Sequence, residues 1–255
     1  TQAFDGLYLG IRPVNPPKAK GPDWEEDEKP NVEIWHGKDS RLQPQQKVQE
    51  NADKAFTYLS LYRLTDQRFL QLATDSMKTV TAAPMDRWAV AYDDRAYELD
   101  ANLSGVRKRD AYVIDLVTGA RRKVMTATTA SLTASPDGQR YAYMDDGQYY
   151  VQEFAGGPSR NLTAGVPTTF WNDEDDHNVV KPPRFPVGWS TDGLTLLLTD
   201  GWDIWRIPVR GGTATNLTMN GKKDAIRYRQ VLVSNPRQRG LDLSKPMMIG
   251  TYGEW

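Results

Sequence analysis

Three stretches of the 255-residue chain hold side chains that do chemistry in other proteins. The first is GWSTDG, residues 188–193, where Ser190 follows Gly and Trp as the nucleophile does in the Gly-x-Ser-x-Gly elbow of serine hydrolases. The second is WNDEDDHN, residues 171–178, in which Asp173, Glu174, Asp175, Asp176 and His177 follow one another. Carboxylates this dense suit a hard cation or the ammonium of a peptide's amino terminus. The third is the pair of imidazoles, His36 in IWHGKD and His177, the only 2 histidines available as a base. Cysteine is absent, so disulfides and thiolate metal sites are excluded.

Ser190 fails the requirements of a nucleophile elbow. The elbow needs Gly two places after the serine, where Asp192 stands, and it joins a strand to a helix, whereas the strand-like TLLLT follows here. Ser159 in GPSRN keeps the first Gly but has Asn161 in place of the second. Neither histidine neighbours a nucleophile, so no catalytic residue is expected in this chain. Ser190 reads as a turn residue. The acidic run admits three readings: a solvated loop, a substrate-gating or interface element, and a cation site. It lacks the Gly and the terminal Glu of an EF-hand loop, so no metal or cofactor is expected. His36 reads as a packing residue at a strand end.

The elements that must position these residues are strands. The chain holds 12 Tyr, 8 Trp, 20 Gly and 16 Pro, with Gly and Pro punctuating short apolar runs. One short helix is predicted near residues 42–56, in LQPQQKVQENADKAF, and strands and turns elsewhere. PMDRWAVAYDD from Pro84 superposes on PDGQRYAYMDD from Pro136, and SPDG at 135–138 returns as STDG at 190–193. Each copy leads into a strand and then a hairpin: YVIDLVTGARRKV from Tyr112, YVQEFAGGPSRNLT from Tyr150 and IWRIPVRGGTATNLT from Ile204. YLSLYRLTDQRFLQLA from Tyr58 is a degenerate copy that bends at Thr65, Asp66 and Gln67. A small sheet of this length cannot bury both faces alone, but radial stacking of such sheets can. The expected fold is all-β, a β-propeller of about four blades or part of a larger one, over residues 31–255. Residues 1–30 read as an amino-terminal arm or linker.

Composition also excludes partners. The 32 basic and 33 acidic residues leave a net charge of -1 and no basic stripe for nucleic acid. No apolar run approaches the ~20 residues of a membrane-spanning helix. Trp202 and Trp205 read as aromatic cover between sheets, and a sugar platform is the alternative. Arg121, Arg122 and Lys123 read as a solvated strand edge that discourages edge pairing. The sequons at Asn102, Asn161 and Asn216 matter only in a glycosylating host.

The turn SPDG, the hairpins ending in NLT (161–163 and 216–218), and the stretches VEIWHGKD, LQPQQKVQ, DEDDHNV, GWDIWRIPV and NGKKDAIRYR together carry a family likeness. From about Lys29 to Trp255 the chain resembles the amino-terminal propeller of large bacterial serine peptidases of the prolyl oligopeptidase family. The resemblance implies a downstream α/β-hydrolase domain carrying the Ser, Asp and His triad, and a propeller that admits only short or unfolded peptides to it. No residue here matches the triad, so the chain is expected to be the non-catalytic portion. The resemblance implies a periplasmic or secreted bacterial location. The alternative is a free-standing TolB-like propeller that binds a protein or glycan. Open ends of an incomplete ring are expected to close, to dimerise, or to stay associated with the remainder of a longer protein.

Overall fold

A computed structural model describes residues 1–255 except 2, 4, 15–24, 26, 29–31, 178, 179, 234, 236, 237, 254 and 255. Half of the expected arm therefore lies outside the described residues, and its Gly6–Ile11 portion is a strand, β1. Among the described residues the strands form five antiparallel sheets in chain order. Sheet 1 joins β1 to β2 (Tyr58–Arg63) and β3 (Phe69–Gln71). Sheet 2 is β4 (Thr79–Ala82), β5 (Trp88–Asp93), β6 (Arg109–Asp115) and β7 (Arg121–Thr128). Sheet 3 is β8 (Thr133–Ala134), β9 (Arg140–Asp145), β10 (Gln148–Glu153) and β11 (Arg160–Asn161). Sheet 4 is β12 (Gly188–Trp189), β13 (Thr195–Thr199), β14 (Ile204–Pro208) and β15 (Thr215–Asn216). Sheet 5 pairs β16 (Ile226–Leu232) with β17 (Met248–Gly253).

The sequence repeats fall on matching strands. The copies from Trp88 and Arg140 become β5 and β9, and each is the second strand of its sheet. Side chains alternate across a strand, so a sheet can present apolar residues on both faces, and each of the five sheets packs against a neighbour on at least one of them. Leu61 of sheet 1 meets Ala89, Ala91, Ile114 and Leu116 of sheet 2. Val90 and Val113 on the other side of sheet 2 meet Tyr141, Tyr143 and Phe154 of sheet 3. Ala142 and Val151 then meet Leu196, Leu198 and Val209 of sheet 4, and Leu197 and Ile204 meet Tyr228, Val231 and Ile249 of sheet 5. Four such joints in a row make the β-propeller arrangement.

Two polar devices recur at these joints. An arginine of one sheet donates to a main-chain carbonyl at the same place in the next: Arg63 to Leu116 at 3.2 Å, Arg122 to Phe154 at 2.8 Å and Arg160 to Val209 at 3.4 Å. Arg122 is therefore more than a solvated edge residue, and Arg121 on the opposite face of β7 donates back to Gln71 and Leu72 of sheet 1. The second device is the turn glycine. Gly138 and Gly193 have φ of 67° and 66°, where glycine alone escapes strain. A Cβ on Gly193 would lie 2.7 Å from Asp137 in the preceding sheet's turn, and one on Gly138 would run into the Pro84 carbonyl. One residue thus closes a turn and lets neighbouring turns nest.

The expected helix is α1 (Gln43–Ala55), which carries Pro44 in its first turn and Lys54 in its last. It buries no residue and is tied by ion pairs, Arg41 to Asp53 at 2.8 Å and Lys47 to Glu33 at 2.5 Å. A second helix, α2 (Glu98–Ser104), corrects the expectation of a single helix. It has acidic residues in its first turn and ends at Gly105 with φ 72°, a left-handed C-terminal stop. Inserted between β5 and β6, it occupies the place that a tight turn at Asp146–Gly147 takes in sheet 3. No described helix is long and apolar enough to cross a membrane.

Candidate functional site

Ser190 is buried in the β12–β13 turn with every polar atom engaged. Its Oγ donates to Asp192 at 2.5 Å and accepts the Thr195 amide at 2.9 Å, while the Gly193 amide closes the turn on the Ser190 carbonyl at 2.9 Å. Ser135 does the same one sheet earlier, with Asp137 at 2.5 Å and the Arg140 amide at 3.0 Å. The hydrogen bond from Ser190 and the Leu194 amide hold the Asp192 carboxyl below its ordinary range, so it is an acceptor at neutral pH. No histidine contributes to either turn. In sheet 2 the turn keeps its backbone bonds with Ala83 in the serine's place, and Asp86 adopts φ 52° where the others have glycine. The serine reinforces a turn that the backbone already makes.

The NLT repeat is a second internal fastening. Asn161 Oδ1 accepts the amides of Thr163 and Ala164, and Asn216 Oδ1 accepts those of Thr218 and Met219, at 2.8–3.1 Å. Thr163 and Thr218 each accept an amide of the adjoining strand, from Tyr149 and Ile204. These two sequon asparagines are Asx-turn caps.

The acidic run lies on the loop between sheets 3 and 4, and the loop has a built root. Phe170 is buried edge-on to Tyr149, and Trp171 bridges to Pro183 and covers Gly147 of the β9–β10 turn. The Arg184 amide donates to the Phe170 carbonyl at 2.8 Å and Tyr149 donates to the Arg184 carbonyl at 2.6 Å. From this root the five sequence-predicted residues divide into two groups. Glu174 makes a bidentate pair with Arg227 of β16 at 2.8 and 2.9 Å, and Arg184 reaches Asp173 at 3.4 Å and Glu174 at 3.6 Å. Arg227 also stacks on the Trp202 ring at 3.9 Å. The Arg227 bond, opposed only by partial burial, holds the Glu174 carboxyl below its ordinary value.

Asp175, Asp176 and His177 form the tip. Asp175 accepts the His177 amide at 3.0 Å and lies 2.8 Å from its Nδ1, and these bonds lower its carboxyl as well. Lys181 donates to the Asp175 carbonyl. Asp176 is fully exposed and the His177 ring largely so. Ligand atoms of the three come within 4.8 Å of one another. Two carboxylates and an imidazole fall short of the six to eight oxygens that calcium takes, but they suit an ammonium group.

Sequence reading missed the arginines that organise this loop. Arg227 stands 53 residues beyond Glu174, and no local motif links them. Trp202 is stacked under that guanidinium, and Trp205 packs against the cluster between sheets 3 and 4 while its indole N–H donates to Asp200 in the β13–β14 turn of its own sheet at 2.8 Å. His36 lies outside any strand, in an exposed turn where its Nδ1 accepts the Lys38 amide at 3.0 Å, because VEIWHGKD forms no sheet. A cleft of about 800 Å³ between α1 and α2, lined by Arg41, Lys78, Arg95, Glu98, Arg107 and Lys108 among others, was also unforeseen.

No family model matches the chain, and no curated protein matches it. Among solved structures it is similar to a protein of Agrobacterium tumefaciens described as TolB, at 18% identity and a TM-score of 0.41, covering 68% of this chain and 58% of that one. It is similar to the β-propeller domain of the trilobed protease of Pyrococcus furiosus, at 13% identity and a TM-score of 0.40, covering 68% and 51%. It is similar to the acylaminoacyl peptidase of Pyrococcus horikoshii, at 15% identity and a TM-score of 0.36, covering 63% and 28%. The chain thus spans less than two thirds of the length of each. Its own sheets, joints and nested turns make it an all-β chain of propeller blades.

Proposed function

We propose that this chain is the non-catalytic propeller portion of a prolyl oligopeptidase-like serine peptidase, where it admits and orients peptides for an α/β-hydrolase domain. The observation that carries the reading is the acidic loop: its root is locked to sheets 3 and 5, and its tip presents the half-buried Asp175 beside the exposed Asp176 and His177. A carboxylate cluster on a fixed stalk gives charge-assisted hydrogen bonds to a peptide's α-ammonium without the ordering cost of a free loop. The buried, fully bonded serines of the repeat turns supply no nucleophile. In this reading bond cleavage belongs to the attached hydrolase domain, and the propeller contributes selection.

Titration calorimetry of this chain with a short peptide bearing a free amino terminus, and with its acetylated form, tests the reading. Binding is expected for the free form only and is lost in Asp175→Asn/Asp176→Asn. Equal affinity for both forms would overturn the role of the loop. Fluorophosphonate labelling of the natural gene product, alongside this chain, tests the peptidase assignment. A heavier product that labels while this chain does not supports it, and a product that never labels leaves a binding propeller instead.

A further inference from the structure

The two ends of the five-sheet array present opposite halves of the joint that its interior repeats. Matching main-chain hydrogen bonds fix the register: the amides of Leu64, Leu116, Phe154 and Val209 donate to Asp5, Arg87, Gln139 and Leu194. Leu64 of sheet 1 therefore holds the position of Leu116, Phe154 and Val209, which are 0–3% exposed against the preceding sheet. Leu64 is 48% exposed. By the same register Leu7 corresponds to Ala89, Tyr141 and Leu196, and Leu9 to Ala91, Tyr143 and Leu198. All six equivalents are buried, whereas Leu7 is 51% and Leu9 42% exposed. Leu7 pairs across to Tyr62 and Tyr62 to Phe69, which extends the apolar face over all three strands of sheet 1. Among the described residues, none of the apolar clusters between sheets includes Leu7, Leu9, Leu64 or Phe69.

Among the described residues, sheet 5 is uncovered on the other side. Val231, Ile249 and Tyr228 face sheet 4, so alternation sends Leu232, Met248 and Tyr252 to the opposite face, with Leu232 and Met248 directly paired. All three are exposed, Met248 at 71%. The uncovered face of sheet 1 is the kind that always receives a preceding sheet, and that of sheet 5 is the kind that always receives a following one. We infer that these two faces are the two halves of one more sheet-to-sheet joint, and that a second copy of this chain fills it head to tail. Continuity with four existing joints supports this occupant. The contact is heterologous, since the surfaces brought together differ.

Analytical ultracentrifugation of the 255-residue chain over a concentration series tests the inference. The mass is expected to rise above 28.8 kDa with concentration. Leu9→Glu and Met248→Glu, each made at an exposed position so that circular dichroism stays native, should both hold the protein at the single-chain mass. Mixing the two variants should restore association, because each keeps the face the other has lost, and should stop at two chains. Three results would overturn the inference: a single-chain mass at every concentration, association that neither variant weakens, or a mixture that remains single chains.

Discussion

The turn at Ser190 and the loop at Asp173–His177 both display side chains associated with catalysis, and they differ in how many polar atoms are left over. In the turn, the buried Ser190, the exposed Asp192 and two amides satisfy one another, and an identical set of bonds repeats at Ser135. In the loop, Asp173 and Glu174 are taken up by Arg184 and Arg227, while the carboxylate of Asp176 faces water. A buried polar group without a partner costs free energy, so the interior uses such residues up. The difference teaches that residue type proposes chemistry and the remaining hydrogen-bonding capacity decides it.

The sharpest way to break this contrast is through the turn. Gly193→Ala forces a left-handed φ on alanine and pushes its Cβ against Asp137 of the neighbouring turn. A loss of about 2–4 kcal/mol is expected in urea unfolding. Gly105→Ala has a similar φ but meets nothing within 4 Å, and should lose only about 1 kcal/mol. Equal losses would mean that nesting of turns contributes nothing.

Ser190→Ala comes next, since it leaves the buried Thr195 amide without its side-chain acceptor. About 1–3 kcal/mol should be lost in the same assay. A fluorophosphonate adduct on Ser190 would break the comparison outright, because it would require the turn to release its hydroxyl.

Smaller effects belong to the loop. Glu174→Gln should cost about 1 kcal/mol or less of global stability, yet raise amide hydrogen exchange and protease nicking over residues 172–182. The pH dependence has a definite sign. A carboxyl lowered by folding stabilises fully above its unfolded value, here 4.5, and the contribution fades as pH falls through the folded value. Loop protection in the wild-type protein should therefore hold at pH 7 and weaken below about pH 4.5, whereas the Glu174→Gln variant should show a smaller step, left to the lowered carboxyl of Asp175. The smallest effect is expected at the tip: Asp176→Asn should leave stability within about 0.5 kcal/mol, measured by urea unfolding. A larger loss would show that the tip is spoken for, as the turn is.

What the sequence determined by itself was the repeating unit. Gly at 138 and 193, Asp two residues after Ser, and the NLT endings specify local turns whose partners lie within a few residues, so β5, β9 and β13 and their hairpins were legible before any coordinates. The acidic run was legible as residues, but not as two functional halves. That division rests on Arg227, on Arg184 and on Trp202, which reach the loop only because sheets 3, 4 and 5 stack side by side. Likewise Leu7, expected in an amino-terminal arm, proves to be the strand equivalent of Leu196, and only the stacking of sheets buries one and leaves the other open. Turn chemistry acts over a few residues and is written locally, whereas burial and ion pairing depend on which distant surfaces meet.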